Sequence, residues 1–364
     1  MSEFFAEDLL QWYHSEKRDL PWRRTDDPYK IWISEIMLQQ TQVNTVIPYY
    51  HRFLEAFPTV HDLAKADQQQ VLKLWEGLGY YSRGRNLHQA AKMVVENFDG
   101  RLPDKYDEIT SLKGIGPYSA AAILSIAFNK NYAVVDGNVI RVLTRYSGIK
   151  DDIRSAKVKN RVQDLADDLL SKTDPGNFNQ AIMELGATVC TPKNPSCDMC
   201  PVSSNCVAFQ TAETDVIPYK SKAKKVPHHQ IGVGLIVNDS GELLIALRPN
   251  DVMLGGLWEF PGGKKEKSES IKQTVSRELE EELGVQVAVF DRYQMLKHAY
   301  SHFKITLHAY WCKITAGEPK PKSSMEIKWV SLSEIEQYPF PKANKILIDG
   351  LIKLDDQDLK NFLD

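Results

Sequence analysis

The sequence predicts a multidomain chain, an all-α half followed by an α/β half. Three observations carry this. Through residue 215 apolar residues recur at helical spacing. Between Leu112 and Tyr146 the run LKGIGPYSAAAILSIAFNKNYAVVDGNVIRVLTRY reads as a tight hairpin set between helices. Beyond Val216 the pattern turns to strand-like alternation around one further helix.

Taken in order, Phe4–Glu16 reads as a short amphipathic helix that Leu20-Pro21-Trp22-Arg23 ends in a turn. Pro28 opens the next, PYKIWISEIMLQQTQV, because proline at a first helical position loses no hydrogen bond. Helical patterns follow over 68–76, 83–97 and 157–171, with the glycine-punctuated break Gly77-Leu78-Gly79-Tyr80-Tyr81 between the first two. In the hairpin, Gly114 and Gly116 permit the tight path, and the helix after Pro117 presents free N–H groups suited to a DNA phosphate. Its three alanines let another backbone pack close. The stretch VIPYKSKAKKVPHHQ is basic, holds two prolines and lacks periodicity, so 216–229 reads as a linker between units at 1–215 and 230–355. It either lies along DNA or is simply solvated. The second unit reads QIGVGLIV, ELLIALR, a helix from Ser270 to Leu283, then KITLHAYWCKI and IKWVSL as strands.

The chain has 364 residues and a net charge of −3, so contact with nucleic acid must come from local basic patches rather than overall charge. No apolar run suits a membrane span and no basic-then-apolar start suits export, so the expected location is the cytoplasm. Four of the five cysteines fall between Cys190 and Cys206, which favours a metal centre over disulfides.

Two carboxylates stand out. On a helix Glu35 neighbours Ile31, Trp32 and Leu38. Either that face is partly exposed and Glu35 is solvated, or Glu35 is buried and its raised pKa makes it a general acid. Asp136 sits where a loop enters a helix; it reads as an N-cap held ionised, a role compatible with stabilising a nearby cation. Two carboxylates driven apart in pKa suit an acid and an electrostatic stabiliser. Cys190, Cys197, Cys200 and Cys206 follow C-x6-C-x2-C-x5-C, unlike the two separated knuckles of a zinc ribbon, with structural zinc as the alternative to an iron–sulfur centre. In GLWEFPGGKKEKSESIKQTVSRELEEELGV, the residues Gly263, Glu269, Arg277, Glu278, Leu279, Glu281, Glu282, Gly284 and Val285 complete a Nudix box, and Ser270 with Gln273 forms a capping-box pattern.

The hairpin, the Val-Asp-Gly-Asn and the cysteine loop together resemble the helix-hairpin-helix DNA glycosylase superfamily, and most closely the adenine DNA glycosylase (MutY) family. The resemblance implies an all-α helix-hairpin-helix glycosylase domain with a [4Fe–4S] loop, followed by an α/β Nudix-like domain. It implies a monomer acting on double-stranded DNA, associated with the nucleoid, that removes adenine mispaired with 8-oxoguanine or with G. Glu35 then protonates adenine and activates water, Asp136 stabilises the sugar cation, and Tyr118 and Asn138 position them. Tyr118 stands where endonuclease III-like relatives carry the lysine of their lyase step, so no true lyase step is expected. Gly114 and Gly116 face the DNA backbone, Gln40 enters the base stack and Tyr80 wedges beside the opposing base. Trp22, Arg23, Leu38 and Gln180 line the adenine pocket. Tyr300, Ser301 and His302, in His298–His302, match the loop that inspects 8-oxoguanine, with Tyr where the family more often has Phe. The four cysteines hold the cluster, and Lys193 on their loop can meet phosphate. One departure stands: the family's Nudix box is usually degraded, and this one is intact. Either the helix is retained for packing, or the domain also hydrolyses a nucleoside diphosphate derivative.

Overall fold

A computed structural model describes residues 2–222, 226–300 and 302–354. The helices before the linker are α1 (Ser2–Glu16), α2 (Pro28–Leu38), α3 (Val43–Ala56), α4 (Val60–Lys65), α5 (Gln68–Trp75), α6 (Ser82–Asn97), α7 (Tyr106–Thr110), α8 (Pro117–Phe128), α9 (Gly137–Tyr146), α10 (Ala156–Leu169), α11 (Pro175–Thr188) and α12 (Val207–Gln210). None of the described helices is long and apolar enough to cross a membrane. Contacts divide the chain into two units, Met1–Lys65 with Asn86–Ala223 and Ala66–Arg85 with Lys224–Asp364. The second unit thus takes in α5, which the sequence pattern groups with the first half. The reason is local: Gln69 accepts from the Trp258 indole and donates to the Gly256 carbonyl, and Glu76 accepts from Phe340 N.

In the first unit, Leu9 and Tyr13 of α1, Val139 and Leu143 of α9, Val162 of α10 and Phe178 and Leu185 of α11 form one buried cluster. The alanines of α8 do allow close approach. Ala121 and Ala122 are buried against Val134, and a Cβ on Gly176 at the start of α11 would lie 2.7 Å from the Ser125 carbonyl oxygen. α2 is buried nearly all round, from Tyr29 to Met37. It ends at Leu38, five residues short of the sequence expectation, because Gln39 leaves helical geometry and Gln40 takes a left-handed φ of 56°. That backbone state is uncommon outside glycine.

The second unit holds β1 (His228–Ile236), β2 (Leu243–Leu247), β3 (Trp258–Glu259), β4 (Gly262–Lys264), α13 (Ile271–Leu283), β5 (Gln286–Ala299), β6 (Lys304–Ala316), β7 (Glu326–Val330) and α14 (Lys342–Leu351). One sheet runs β4-β1-β6-β5, with β1 and β6 parallel, and a second runs β3-β2-β7. α13 seats on the first through Val275 and Leu279. A Cβ at Gly232 would sit tightly, 3.0 Å from Val275 Cγ2, and one at Gly234 would push on Leu279 Cδ1 at 2.7 Å. Ser270 and Gln273 form the capping box that the sequence indicates. β5 escapes a period-two reading because register shifts near Val287, Arg292 and Gln294 interrupt its alternation.

Candidate active site

One cavity of about 170 Å³ in the first unit brings together eight of the residues singled out in the sequence. Trp22 and Arg23 come from the turn after α1, Glu35 and Leu38 from α2, Tyr118 from α8, Asp136 and Asn138 from the entry to α9, and Gln180 from α11. Glu35 is buried, with 6% of its surface exposed, which decides against the solvated reading. Burial, then the charge of Asp136, pushes its carboxyl up to about 7 against the opposing pull of Arg23. Among the described residues no hydrogen bond holds that carboxyl.

Asp136 is the contrast. It caps α9: its Oδ1 accepts from the backbone N–H groups of Asn138 and Val139, both at 2.8 Å, and its Oδ2 accepts from Asn138 Nδ2 at 3.0 Å. The sequence reading has the helix start push Asp136 toward ionisation. In the structure burial is the larger influence and raises it, with the three hydrogen bonds and Arg141 acting in opposition. The asymmetry between the two acids survives in a different form. Asp136 has three donors that favour its anion, and Glu35 has none.

The extended segment that delivers Asp136 is clamped by buried Asn179, which accepts from Val134 N and donates to Tyr132 O and Ser125 Oγ. Asn138 is held from beyond by Arg141, which donates to its Oδ1 at 2.8 Å and to the carbonyls of Gly186 and Cys190. Gly186 has no room for a side chain, since a Cβ would lie 2.6 Å from Asn138 Cβ. The Tyr118 hydroxyl donates to the Met183 sulfur at 3.5 Å, and burial keeps the phenol protonated. Trp22 is both cavity wall and core, edge-on to Tyr50 at 5.5 Å. In the hairpin only Gly114 needs the left-handed region, at φ 80°, where a Cβ would also strike Asn86. Gly116 faces open space as the N-cap of α8.

Sequence reasoning missed Arg18, Met183 and Glu184, which line the same cavity. Glu184 is buried on α11 and is shared by two guanidinium groups, accepting from Arg18 Nε and Nη2 at 2.7 Å and from Arg23 Nη2 at 2.9 Å. The signal was faint: one glutamate in the run FNQAIMELGATVC, with Gln180 and Thr188 four positions to either side.

Against known proteins, the model of the HhH-GPD superfamily base excision DNA repair protein matches residues 33–167, and that of the NUDIX domain matches residues 232–350. The adenine DNA glycosylase of Homo sapiens is 37% identical over 94% of this chain and 72% of its own length. The chain belongs to the adenine DNA glycosylase family. That of Schizosaccharomyces pombe is 32% identical, over 92% of this chain and 86% of its own. Among solved structures a thermostable thymine-DNA glycosylase superposes with a TM-score of 0.52 at 30% identity, over 58% of this chain and 97% of that one. Membership makes the chain a DNA glycosylase of base excision repair, with a helical helix-hairpin-helix unit and an α/β Nudix-like unit.

The four clustered cysteines, Cys190, Cys197, Cys200 and Cys206, are free thiols that line one void of about 20 Å³. Buried Arg145 ties their loop down through Cys190 Sγ and the carbonyls of Thr191, Thr214 and Ile217. Burial pushes Cys200 up to about 12, and burial with the charges of neighbouring cysteines raises Cys197 and Cys206, so ionising these three thiols would require a cation beside them. No three Cys, His, Asp or Glu side chains among the described residues are placed to hold a single metal ion.

In the Nudix-like unit of this family member, Arg277 spans Glu269, Glu278 and Glu281, and Glu282 accepts from Gly262 N at 3.0 Å. Gly263 makes room for the Glu278 carboxyl, 2.4 Å from where a Cβ would stand. Tyr300 N–H donates to the Phe303 carbonyl, its ring lies between His298 and Phe303, and His302 is exposed. Ser301 lies outside the described residues. Tyr80 belongs to this second unit, with a left-handed φ of 47°, while Gln40, exposed, belongs to the first.

Proposed function

We propose that this protein hydrolyses the N-glycosidic bond of adenine mispaired with 8-oxoguanine in double-stranded DNA, and that it works as a monomer. The observation that carries the mechanism is a single cavity holding one carboxyl without hydrogen-bond donors beside one held by three. The adenine is extruded from the duplex into that cavity. Glu35, poised near neutrality, gives its proton to an adenine ring nitrogen. The glycosidic electron pair leaves with the base. Asp136 faces the resulting sugar cation, whose charge it is fixed to stabilise. Water then adds to the sugar carbon and returns a proton to Glu35, the acid–base exchange familiar in glycoside hydrolysis. Asn138 fixes the Asp136 carboxylate, and Trp22, Leu38, Arg23 and Gln180 form the walls for the base.

Tyr118 has a neutral phenol and no amine, which supports a glycosylase without a lyase step. Gly114, Gly116 and Gln40 serve the DNA strand, and Tyr80 the opposing base. Tyr300, Ser301 and His302 inspect the 8-oxoguanine. Cys190, Cys197, Cys200 and Cys206 would hold a [4Fe–4S] cluster, whose iron would supply the cations that their thiolates need. Iron analysis and the visible spectrum of the purified protein test it: a protein free of iron would sink the assignment. The decisive experiment for the reaction is single-turnover cleavage of duplexes with A opposite 8-oxoguanine, G or T. Wild type should act fastest opposite 8-oxoguanine, and Glu35→Gln should be slower by roughly 10²–10⁴-fold. Equal rates on all three duplexes would overturn the opposite-base assignment.

A further inference from the structure

The proposed acid has a neighbour that the mechanism leaves unused. Glu184 is 1% exposed, on the cavity wall, and carries a negative charge that two arginines share. Arg23 is the inner one. Its side chain is 10% exposed, it stacks over the Tyr13 ring at 5.3 Å, and its Nη1 donates to the Arg18 carbonyl at 3.0 Å. Among the described residues its buried Nε–H has no partner. Arg18 is the outer one, 40% exposed. We infer that Glu184 is a positioning residue for the catalytic acid: it pins the two guanidinium groups of the cavity wall and offsets one of their two charges, so that Glu35 keeps its proton until a base arrives.

The argument is one of charge in a confined space. The charged or titratable groups round the cavity are Arg18 and Arg23 from the turn after α1, Tyr118 from α8, Asp136 at α9 and Glu184 from α11. Tyr118 is a neutral phenol. Asp136 favours the protonated form of Glu35, and Arg23 opposes it. Glu184 bonds Arg23 directly and so takes up part of the cation's field. The burial of Glu184 would ordinarily cost it its own charge, but the hydrogen bonds from Arg18 and Arg23 outweigh that and hold it at about 2. It is therefore anionic throughout the working range. The wall is then a triad of two cations and one anion, with net charge set by how many members are present. Such a buried network carries a large penalty if broken on one side only, which makes its effect on Glu35 readable.

This inference rests on Glu35 being the acid of the proposed reaction. The test is the pH dependence of the single-turnover excision rate, on duplex with A opposite 8-oxoguanine, for Glu184→Gln and Arg18→Met. The alkaline limb of that profile reports loss of the Glu35 proton. Glu184→Gln leaves the cations unscreened, so the limb should move to lower pH by about one unit, a roughly tenfold rate loss on the alkaline side. Arg18→Met removes one cation and should move the limb the other way. A merely structural role would lower both rates and leave both limbs in place, and that result, or movement in the same direction, overturns the inference. If Glu184→Gln does not fold, the direction of the Arg18→Met shift decides alone. A Glu35→Gln enzyme as fast as wild type would instead overturn the reading of the acid itself, which separates the two failures.

Discussion

The molecule gathers carboxylates in two places and treats them in opposite ways. In the helical unit, Glu184 takes up the two arginines, and Glu35 is left in the cavity without a donor. Arg277 of the Nudix helix reaches Glu269, just ahead of that helix, and Glu278 and Glu281 on it at 2.9–3.1 Å, so these three acids are satisfied within the unit. The lesson is that an acidic cluster is read by its donors. A carboxyl with no donor is a proton source, and one gripped by a guanidinium is a brace. In the intact Nudix box Arg277 braces three of the four glutamates and leaves Glu282 outside the brace.

The largest effect that sharpens this contrast is on excision. Glu35→Gln should lower the single-turnover rate by roughly 10²–10⁴-fold, the range general acid–base groups supply. Asp136→Asn should also lose rate; asparagine keeps the helix cap through its oxygen, but its amide N–H would face the Asn138 Nδ2 donor, so the thermal midpoint should fall modestly. Glu281→Gln, in the braced cluster, should leave excision as it is. A slow Glu281→Gln enzyme with normal DNA affinity would break the comparison.

Next comes geometry without charge. Gly186→Ala places a methyl 2.6 Å from Asn138 Cβ. The α9 entry must shift, and displacements of about 1 Å at a reacting centre cost roughly 10²-fold. The expected result is a slow enzyme that still binds mismatched duplex in a gel-shift assay. An unchanged rate would mean that the Asp136–Asn138 pair tolerates movement.

How much of this was legible beforehand follows from what each feature depends on. The capping box at Ser270, the helix opened by Pro28 and the cap at Asp136 are local, fixed by a few neighbouring residues, and the sequence displays them. β5 was hidden because its bulges break the alternation that announces a strand. The shared cavity was reachable only through family resemblance, since its walls come from five separate stretches of chain. Glu184 was invisible because nothing near it in sequence speaks of Arg18, 166 positions away. The shift of Asp136 was misjudged for a related reason: a cap is a local property, but burial is set by the whole fold.

The braced cluster has its own pH signature. Hydrogen bonds from Arg277, then from Glu266 N, hold Glu269 down at about 2. A depressed folded-state pKa contributes stability above the unfolded value of about 4.3 that disappears as pH falls toward 2. Arg277→Ala should therefore lower the thermal midpoint of the Nudix-like unit at pH 6, with the gap to wild type closing near pH 2. A gap independent of pH would show that Arg277 acts by packing alone.

The smallest effect has the opposite sign, and it belongs to the one box glutamate that Arg277 does not reach. Burial, then the charge of Glu259, pushes Glu282 up to about 7, and a single backbone donor at Gly262 does not offset this. A carboxyl raised in the folded state contributes stability below its unfolded pKa, near 4.3, and loses it as pH climbs through 7. Glu282→Gln keeps an acceptor for Gly262 N and removes the charge. It should match wild type at pH 4 and melt slightly higher at pH 8, by differential scanning calorimetry of the full chain. Should it melt lower at pH 8, the ionised Glu282 has a partner that favours its charge, and the distinction between braced and unbraced acids fails at the place where it is most finely drawn.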